Sequence, residues 1–184
     1  MTAQPRQHGF TLSETLTALA VAGISLSLAA PSLQSLAMRN QQATSVNQLV
    51  ATMHLARSEA VLRNALVAVC ASAGGERCDG SAWENGWIAF VDTDANQQRA
   101  EAEALLERVT ALRGLQLRSA EFERAFTYAP NGRVSVAGSG ESTGEFAFCE
   151  LGADSVSRVL VVRASGIPAL IDRHRDGSIT GCNS

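Results

Sequence analysis

From Thr15 to Met38 the chain carries 24 consecutive residues without a formal charge, and Glu14 stands at the mouth of that run. At about 1.5 Å per residue, a helix of that length reaches across a hydrocarbon core of about 30 Å. A carboxylate held near hydrocarbon costs on the order of 2.5–3.5 kcal/mol at a helix centre, so an acid in this place is expected to have a partner. A secretory signal peptide is one reading of such a start, with a 7–15-residue apolar stretch and a small-residue cleavage zone. The run here is longer, and "SLAAPSLQ" leads into further helix-compatible sequence. A retained transmembrane helix behind the short leader "MTAQPRQHG" is therefore expected, with Arg6 giving positive-inside support for a cytoplasmic start.

Composition bounds the remainder of the chain. With 184 residues, 46% hydrophobic and 18% charged, it supplies one membrane segment and one globular domain of ordinary size. Its 15 basic residues, all Arg, face 18 acids, and the net charge of −3 gives no general attraction for nucleic acid or anionic lipid. Four cysteines, Cys70, Cys78, Cys149 and Cys182, all lie C-terminal to the apolar run, and their even number suits two disulfides in an oxidising compartment. Neither C-x-x-C spacing nor a placed pair of His supports zinc.

Beyond the run, Ala43, Val46, Leu49, Val50, Met53, Ala56 and Ala60 recur at intervals of three and four, while Arg57, Glu59 and Arg63 occupy other sectors. This predicts an amphipathic helix through residue 64, laid across a β-sheet. His54 reads as a structural or exposed histidine. At Asn64 the periodicity changes. Short apolar segments at 65–71, 86–92, 105–110, 114–119, 125–130, 132–138, 144–150, 157–165 and 168–172, separated by Gly, Asp, Asn and Ser, predict antiparallel strands, because a parallel sheet would need crossover helices between them. The fold class is α+β, a long N-terminal helix packed on an antiparallel β-sheet domain. Asn131-Gly132 is the strongest hairpin signal, with Arg133 facing solvent.

The segment "GFTLSE" resembles the prepilin motif of type IV pilins and type II secretion pseudopilins. The resemblance implies cleavage after Gly9 by a membrane peptidase, N-methylation of Phe10 as the new N-terminus, and Glu14 at the fifth mature position. It also implies that the Glu14 carboxylate pairs with the N-terminal amine of a neighbouring subunit, an attraction strengthened where water is scarce. Pro31 fits the proline such helices carry about two dozen residues in, and is expected to kink or locally melt the helix. The implied division is a leader at 1–9, a transmembrane and assembly helix at 10–30, its amphipathic continuation at 31–64, and a periplasmic β domain at 65–184.

A second resemblance lies in "ARSEAVLRNALVAVC", a cysteine in a short Gly-bearing loop, and "WENGWIAFVDTD". These are similar to the FimT, FimU and GspH group of minor pilins and H-type pseudopilins. Trp87, Ile88, Phe90 and Val91 are expected under the helix stripe, each large side chain contributing roughly 1.5–3 kcal/mol on burial, and Trp83 is expected in the core or at a sheet edge. Of the three possible cysteine connectivities, Cys70–Cys78 and Cys149–Cys182 are expected, each closure adding on the order of 2–4 kcal/mol.

Two stretches offer other chemistry. Asp92, Asp94 and Asn96 alternate as the first ligands of a calcium loop do, and the twelfth position is Glu103, but Gln97 stands where the tight turn needs Gly. An Asx-rich turn is the expected reading, with no metal and no cofactor. The basic residues Arg158, Arg163, Arg173, His174 and Arg175 would form a DNA-binding patch only as a disfavoured alternative. Asp172 and Asp176 dilute the charge, and "GIPA" at 166–169 replaces the Gly-Arg-x-Arg motif of FimT-like DNA receptors. No Ser or Cys sits in a nucleophile elbow or beside a candidate base, so no enzyme is expected. The expected function is that of a minor pilin that helps prime or cap a type IV pilus, with an H-type pseudopilin of type II secretion or a FimT-like DNA receptor as alternatives. Expected partners are other pilins or pseudopilins through the N-terminal helix, the prepilin peptidase and the inner membrane, with the C-terminal domain in the periplasm and later in the pilus or pseudopilus.

Overall fold

The computed structural model describes residues 11–136, 143–150 and 156–171. The element order is α1 (Leu12–Arg63), β1 (Val67–Ala71), a 3-10 turn (Trp83–Asn85), β2 (Gly86–Val91), β3 (Leu105–Thr110), β4 (Leu115–Arg118), β5 (Ala125–Tyr128), β6 (Val134–Ser135), β7 (Gly144–Glu150), β8 (Val156–Val162) and β9 (Pro168–Ile171). The chain forms two compact units, residues 1–40 and 41–184, divided within α1.

In the first unit α1 starts on a threonine N-cap. Thr11 precedes the helix, and its Oγ1 accepts the N–H of Glu14 at 3.3 Å, filling one of the donors that a helix N-terminus leaves open. At Pro31, where a kink or local melting is expected, α1 stays helical: the missing proline N–H removes one ladder bond without ending the helix.

In the second unit α1 presents the predicted stripe. Val46, Leu49, Met53, Ala56 and Ala60 are fully buried, and Thr52, Ser45 and Gln42 are buried beside them. A Schellman motif closes the helix: Ala65 N–H donates to Ala60 O at 3.2 Å, Asn64 N–H to Val61 O at 3.4 Å, and Asn64 takes the left-handed φ of 50° that this stop needs.

Among the described residues all strand pairs are antiparallel, as expected, and they form two sheets. Sheet A has the order β3-β2-β1-β5-β6 and sheet B the order β4-β7-β8-β9. Periodicity shows that a segment is extended without showing which neighbour it pairs with, and the short 111–114 connection carries the chain from one sheet to the other. The main core joins the α1 stripe to Val67, Val69, Trp87 and Ala89 of sheet A and to Phe146, Phe148 and Leu160 of sheet B. Trp83 and Phe122 complete it, with Trp83 edge-on to Phe146 at 5.1 Å between centroids and Phe122 stacked on Phe146 at 5.3 Å.

The Asn131-Gly132 hairpin forms between β5 and β6 with a different turn from the two-residue type. Gly132 N–H donates to Ala129 O at 2.8 Å and Ala129 N–H to Arg133 O at 2.9 Å, with only Gly132 at positive φ. This is a tight turn followed by a glycine bulge, and it consumes residues 132 and 133, leaving β6 only two residues long.

Candidate functional site

The N-terminal unit has an unusual surface for a helix of a globular protein. Leu12, Leu16, Leu19, Val21, Ile24 and Leu26 are all 60% exposed or more, and they spread over more than half of the circumference of α1. A helix with so wide an apolar surface needs cover from lipid or from other chains. Among the described residues no helix is long and apolar enough to cross a membrane. Glu14 is exposed in the first turn, where a carboxylate is favoured by the helix dipole, and among the described residues no ion pair involves it. Gly9 and Phe10 lie outside the described residues.

On the outer face of sheet A, Cys78 of the first of two neighbouring loops packs on Ala68, Cys70, Ile88 and Phe90, so Ile88 and Phe90 lie on the face opposite the helix stripe under which they are expected, while Trp87 faces that stripe. The first is closed by the expected Cys70–Cys78 disulfide, with a Cα–Cα distance of 5.5 Å. Asp79 comes directly after it and accepts N–H bonds from Ala73 at 2.9 Å and Ser81 at 3.0 Å. Burial pushes the Asp79 carboxyl up, but these bonds and the Ser81 hydroxyl outweigh it and hold its pKa below the ordinary value.

The second loop contains the acids of the calcium-like spacing. Carboxylate oxygens of Asp92, Asp94 and Glu103 lie within 4.8 Å of one another. Asp92 and Glu103 are buried, at 1% and 5% exposure. Their oxygens already have donors: Asn96 and Gln97 N–H reach Asp92 at 3.1 Å each, and Thr93 N–H at 2.7 Å, Thr93 Oγ1 at 2.9 Å and Ala100 N–H at 2.9 Å reach Glu103. Burial works against the charge on both. It prevails at Asp92, whose pKa is raised with help from the nearby Glu103 charge, whereas the amide donors prevail at Glu103 and lower it. Gln97 replaces the turn glycine yet adopts φ 58°, and its side chain donates to Thr127 Oγ1 at 2.8 Å, anchoring the loop to β5. The loop is turned by Asx hydrogen bonds from Asn96 N–H to Asp94 and from Gln98 N–H to Asn96 and closed at its far end by Glu103, and its three carboxylates form a group that could hold a metal ion.

The two loops are joined. Arg99 donates to Glu76 O at 3.0 Å, and Arg77 lies 3.6 Å from Glu101. The described basic residues of the weaker DNA reading are not brought together: Arg158 and Arg163 are both exposed, but Arg158 lies within β8 and Arg163 directly after it, about 16 Å apart for a strand rising about 3.3 Å per residue. Arg173, His174 and Arg175 lie outside the described residues. His54 is exposed on α1 and Arg133 is exposed, as expected. Arg57 points the other way, donating to Gly132 O at 3.1 Å and tying α1 to the β5–β6 turn.

Set beside known proteins, residues 45–166 match the family described as type II transport protein GspH, and residues 4–30 match the prokaryotic N-terminal methylation motif. No curated protein matches the chain significantly. Among solved structures, the type IV minor pilin FimU of Pseudomonas aeruginosa is 23% identical, with a TM-score of 0.57, covering 73% of this chain and 91% of its own. The minor pseudopilin EpsH from the type II secretion system of Vibrio cholerae is 13% identical, with a TM-score of 0.52, covering 75% of this chain and 98% of its own. At these identities the likeness is one of fold.

Proposed function

The chain belongs to the GspH family of type II transport proteins, and we propose that it acts as a minor pilin or pseudopilin that primes or caps a filament of type IV pilus or type II secretion type. The observation that carries this reading is the pairing of an N-terminal methylation motif with a helix whose large apolar side chains are exposed over more than half of its circumference. The leader at 1–9 is removed after Gly9, Phe10 becomes the methylated N-terminus, residues 10–30 hold the subunit in the inner membrane, and residues 31–64 continue into a periplasmic domain at 65–184. Leaving the lipid is offset when this helix is buried among the helices of other subunits. Glu14 gives that step a direction, because its carboxylate attracts the N-terminal amine of the adjoining subunit where little water competes. The chain is a structural subunit and a substrate of the prepilin peptidase, without catalysis of its own.

Crosslinking to filament subunits in cells tests this. The parent chain is expected to give heterologous adducts, and Glu14→Ala to lose most of them at equal membrane abundance. Unchanged crosslinking would remove the role given to Glu14. The alternative of a DNA receptor is separated by gel shifts across a salt series, where this reading predicts no salt-dependent shift at micromolar protein.

A further inference from the structure

A cleft of about 360 Å³ opens between the 72–80 and 92–104 loops, at the lower end of the range for small-molecule sites. Asp79 lines it from the first loop, Asn96, Gln97 and Gln98 from the second, and Arg124 and Ala125 from the start of β5. Its walls are fixed from behind. Cys78, next to Asp79, is bridged to Cys70 of β1, and the two Asp79 carboxylate oxygens hold the N–H groups of Ala73 and Ser81. That bridge is the one beside the cleft: Cys149, also disulfide-bonded, is on β7, and Cys182 lies outside the described residues. Across the cleft, Gln97 is anchored by its N–H on Asp92 and its side-chain nitrogen on Thr127 Oγ1, and Arg99 ties the two loops together through Glu76 O. The Arg124 main chain is pinned as well, its carbonyl accepting Ala71 N–H at 3.0 Å. A ligand entering such a cleft has little of it left to order.

We propose that this cleft binds a neutral sugar ring, an activity separate from filament assembly and not dependent on it. The groups it leaves unused carry the argument. Among the described residues, Gln97 Oε1, the Gln98 side-chain amide and the Arg124 guanidinium have no hydrogen bond or ion pair. An acceptor, an amide that both donates and accepts, and a fork of N–H donors thus share one small space with the Asp79 carboxylate. Arg124 and Asp79 bring one charge of each sign, so an ion of either sign gains no net attraction. Glu121 and Glu123 line the neighbouring hollow on the other side of Arg124, and they disfavour an anion further. No aromatic or large aliphatic side chain lines the cleft, so an apolar ligand finds no surface to cover. Neutral hydroxyl groups, each a donor and an acceptor at the same atom, match this set, and a sugar ring presents several of them from one rigid frame.

The test uses the full chain in a detergent without a sugar headgroup, with methyl mannoside, methyl glucoside and methyl galactoside as probes read by saturation-transfer NMR. At least one is expected to bind with a Kd of about 1–10 mM, the range of a small ligand held by hydrogen bonds without ring stacking. Gln98→Ala and Arg124→Ala are each expected to weaken that binding about three- to tenfold. Both side chains are exposed and make no bond in the chain, so both variants are expected to keep the Cys70–Cys78 bridge and the parent's circular dichroism. Arg133→Ala, at an exposed arginine outside the cleft, is expected to bind as the parent does, and inorganic phosphate is expected not to compete. The proposal is overturned if none of the three glycosides binds at about ten times that concentration, if either cleft variant binds as the parent does, or if phosphate displaces the sugar.

Discussion

Trp87 of β2 donates its indole N–H to the Thr52 hydroxyl of α1 at 3.0 Å, and neither residue is exposed. The same hydroxyl donates to Gln48 O at 3.0 Å, so one oxygen serves both the helix and the sheet beneath it. A threonine within a buried apolar stripe is thereby satisfied, and the helix is fixed in register on sheet A. Thr52→Val keeps the shape and leaves the indole N–H without an acceptor, which is expected to cost about 1–3 kcal/mol. Thermal unfolding in detergent checks this, with Thr52→Ser retaining most of the stability.

Gly166 lies where the two sheets' turns meet. Its φ is +73°, a Cβ there would come 2.1 Å from Gly132 O, and its own carbonyl accepts the Tyr128 hydroxyl at 3.1 Å. Burial raises the pKa of Tyr128, against the opposing pull of Arg57, so its phenol stays protonated and available as a donor. Gly166→Ala adds a left-handed penalty of about 1–2 kcal/mol to a backbone clash. A loss of at least about 2 kcal/mol is expected by denaturant unfolding, far more than for Gly114→Ala, where only the φ of +71° is unfavourable and no atom lies within 4 Å.

The acidic loop predicts a pH signature. Glu103 has a folded pKa below its ordinary 4.5, so its stabilisation is fully present above about that pH and is lost as pH falls through the lower folded value. Asp92 has the opposite sign: its folded pKa is above 3.8, so protonation in the acid range relieves an unfavourable charge. Glu103→Gln is expected to lower stability near pH 7 by about 1.5–3 kcal/mol, a deficit that shrinks as the pH falls below 4. Asp92→Asn is expected to steepen the loss of stability in acid, because the compensating proton uptake is gone. Melting temperatures between pH 3 and 7 read both.

Much of this was legible in the chain itself. The stripe from Ala43 to Ala60 and the strands at 105–110 and 144–150 were, because burial on one face imposes a period that survives in the residues. The Cys70–Cys78 closure was too, as one of three possible connectivities. The split into two sheets was not, since pairing partners leave no mark on periodicity. Thr52, Ser45 and Gln42 look solvent-facing by type, and only the helix phase and the acceptor groups nearby place them inside. Glu103 stands at a metal ligand's position in the sequence, yet its observed work is to gather three donors from its own loop, which no spacing rule distinguishes from coordination.

The central claim is that this chain is trimmed to Phe10 and enters a filament. Mass spectrometry of sheared pili, or of assembled pseudopili, from the native host tests it most directly. The account predicts a peptide that begins at N-methylated Phe10 and retains Glu14. A chain found in the assembled material only with its leader attached, or cut downstream of Ala30 with the helix lost, would contradict it.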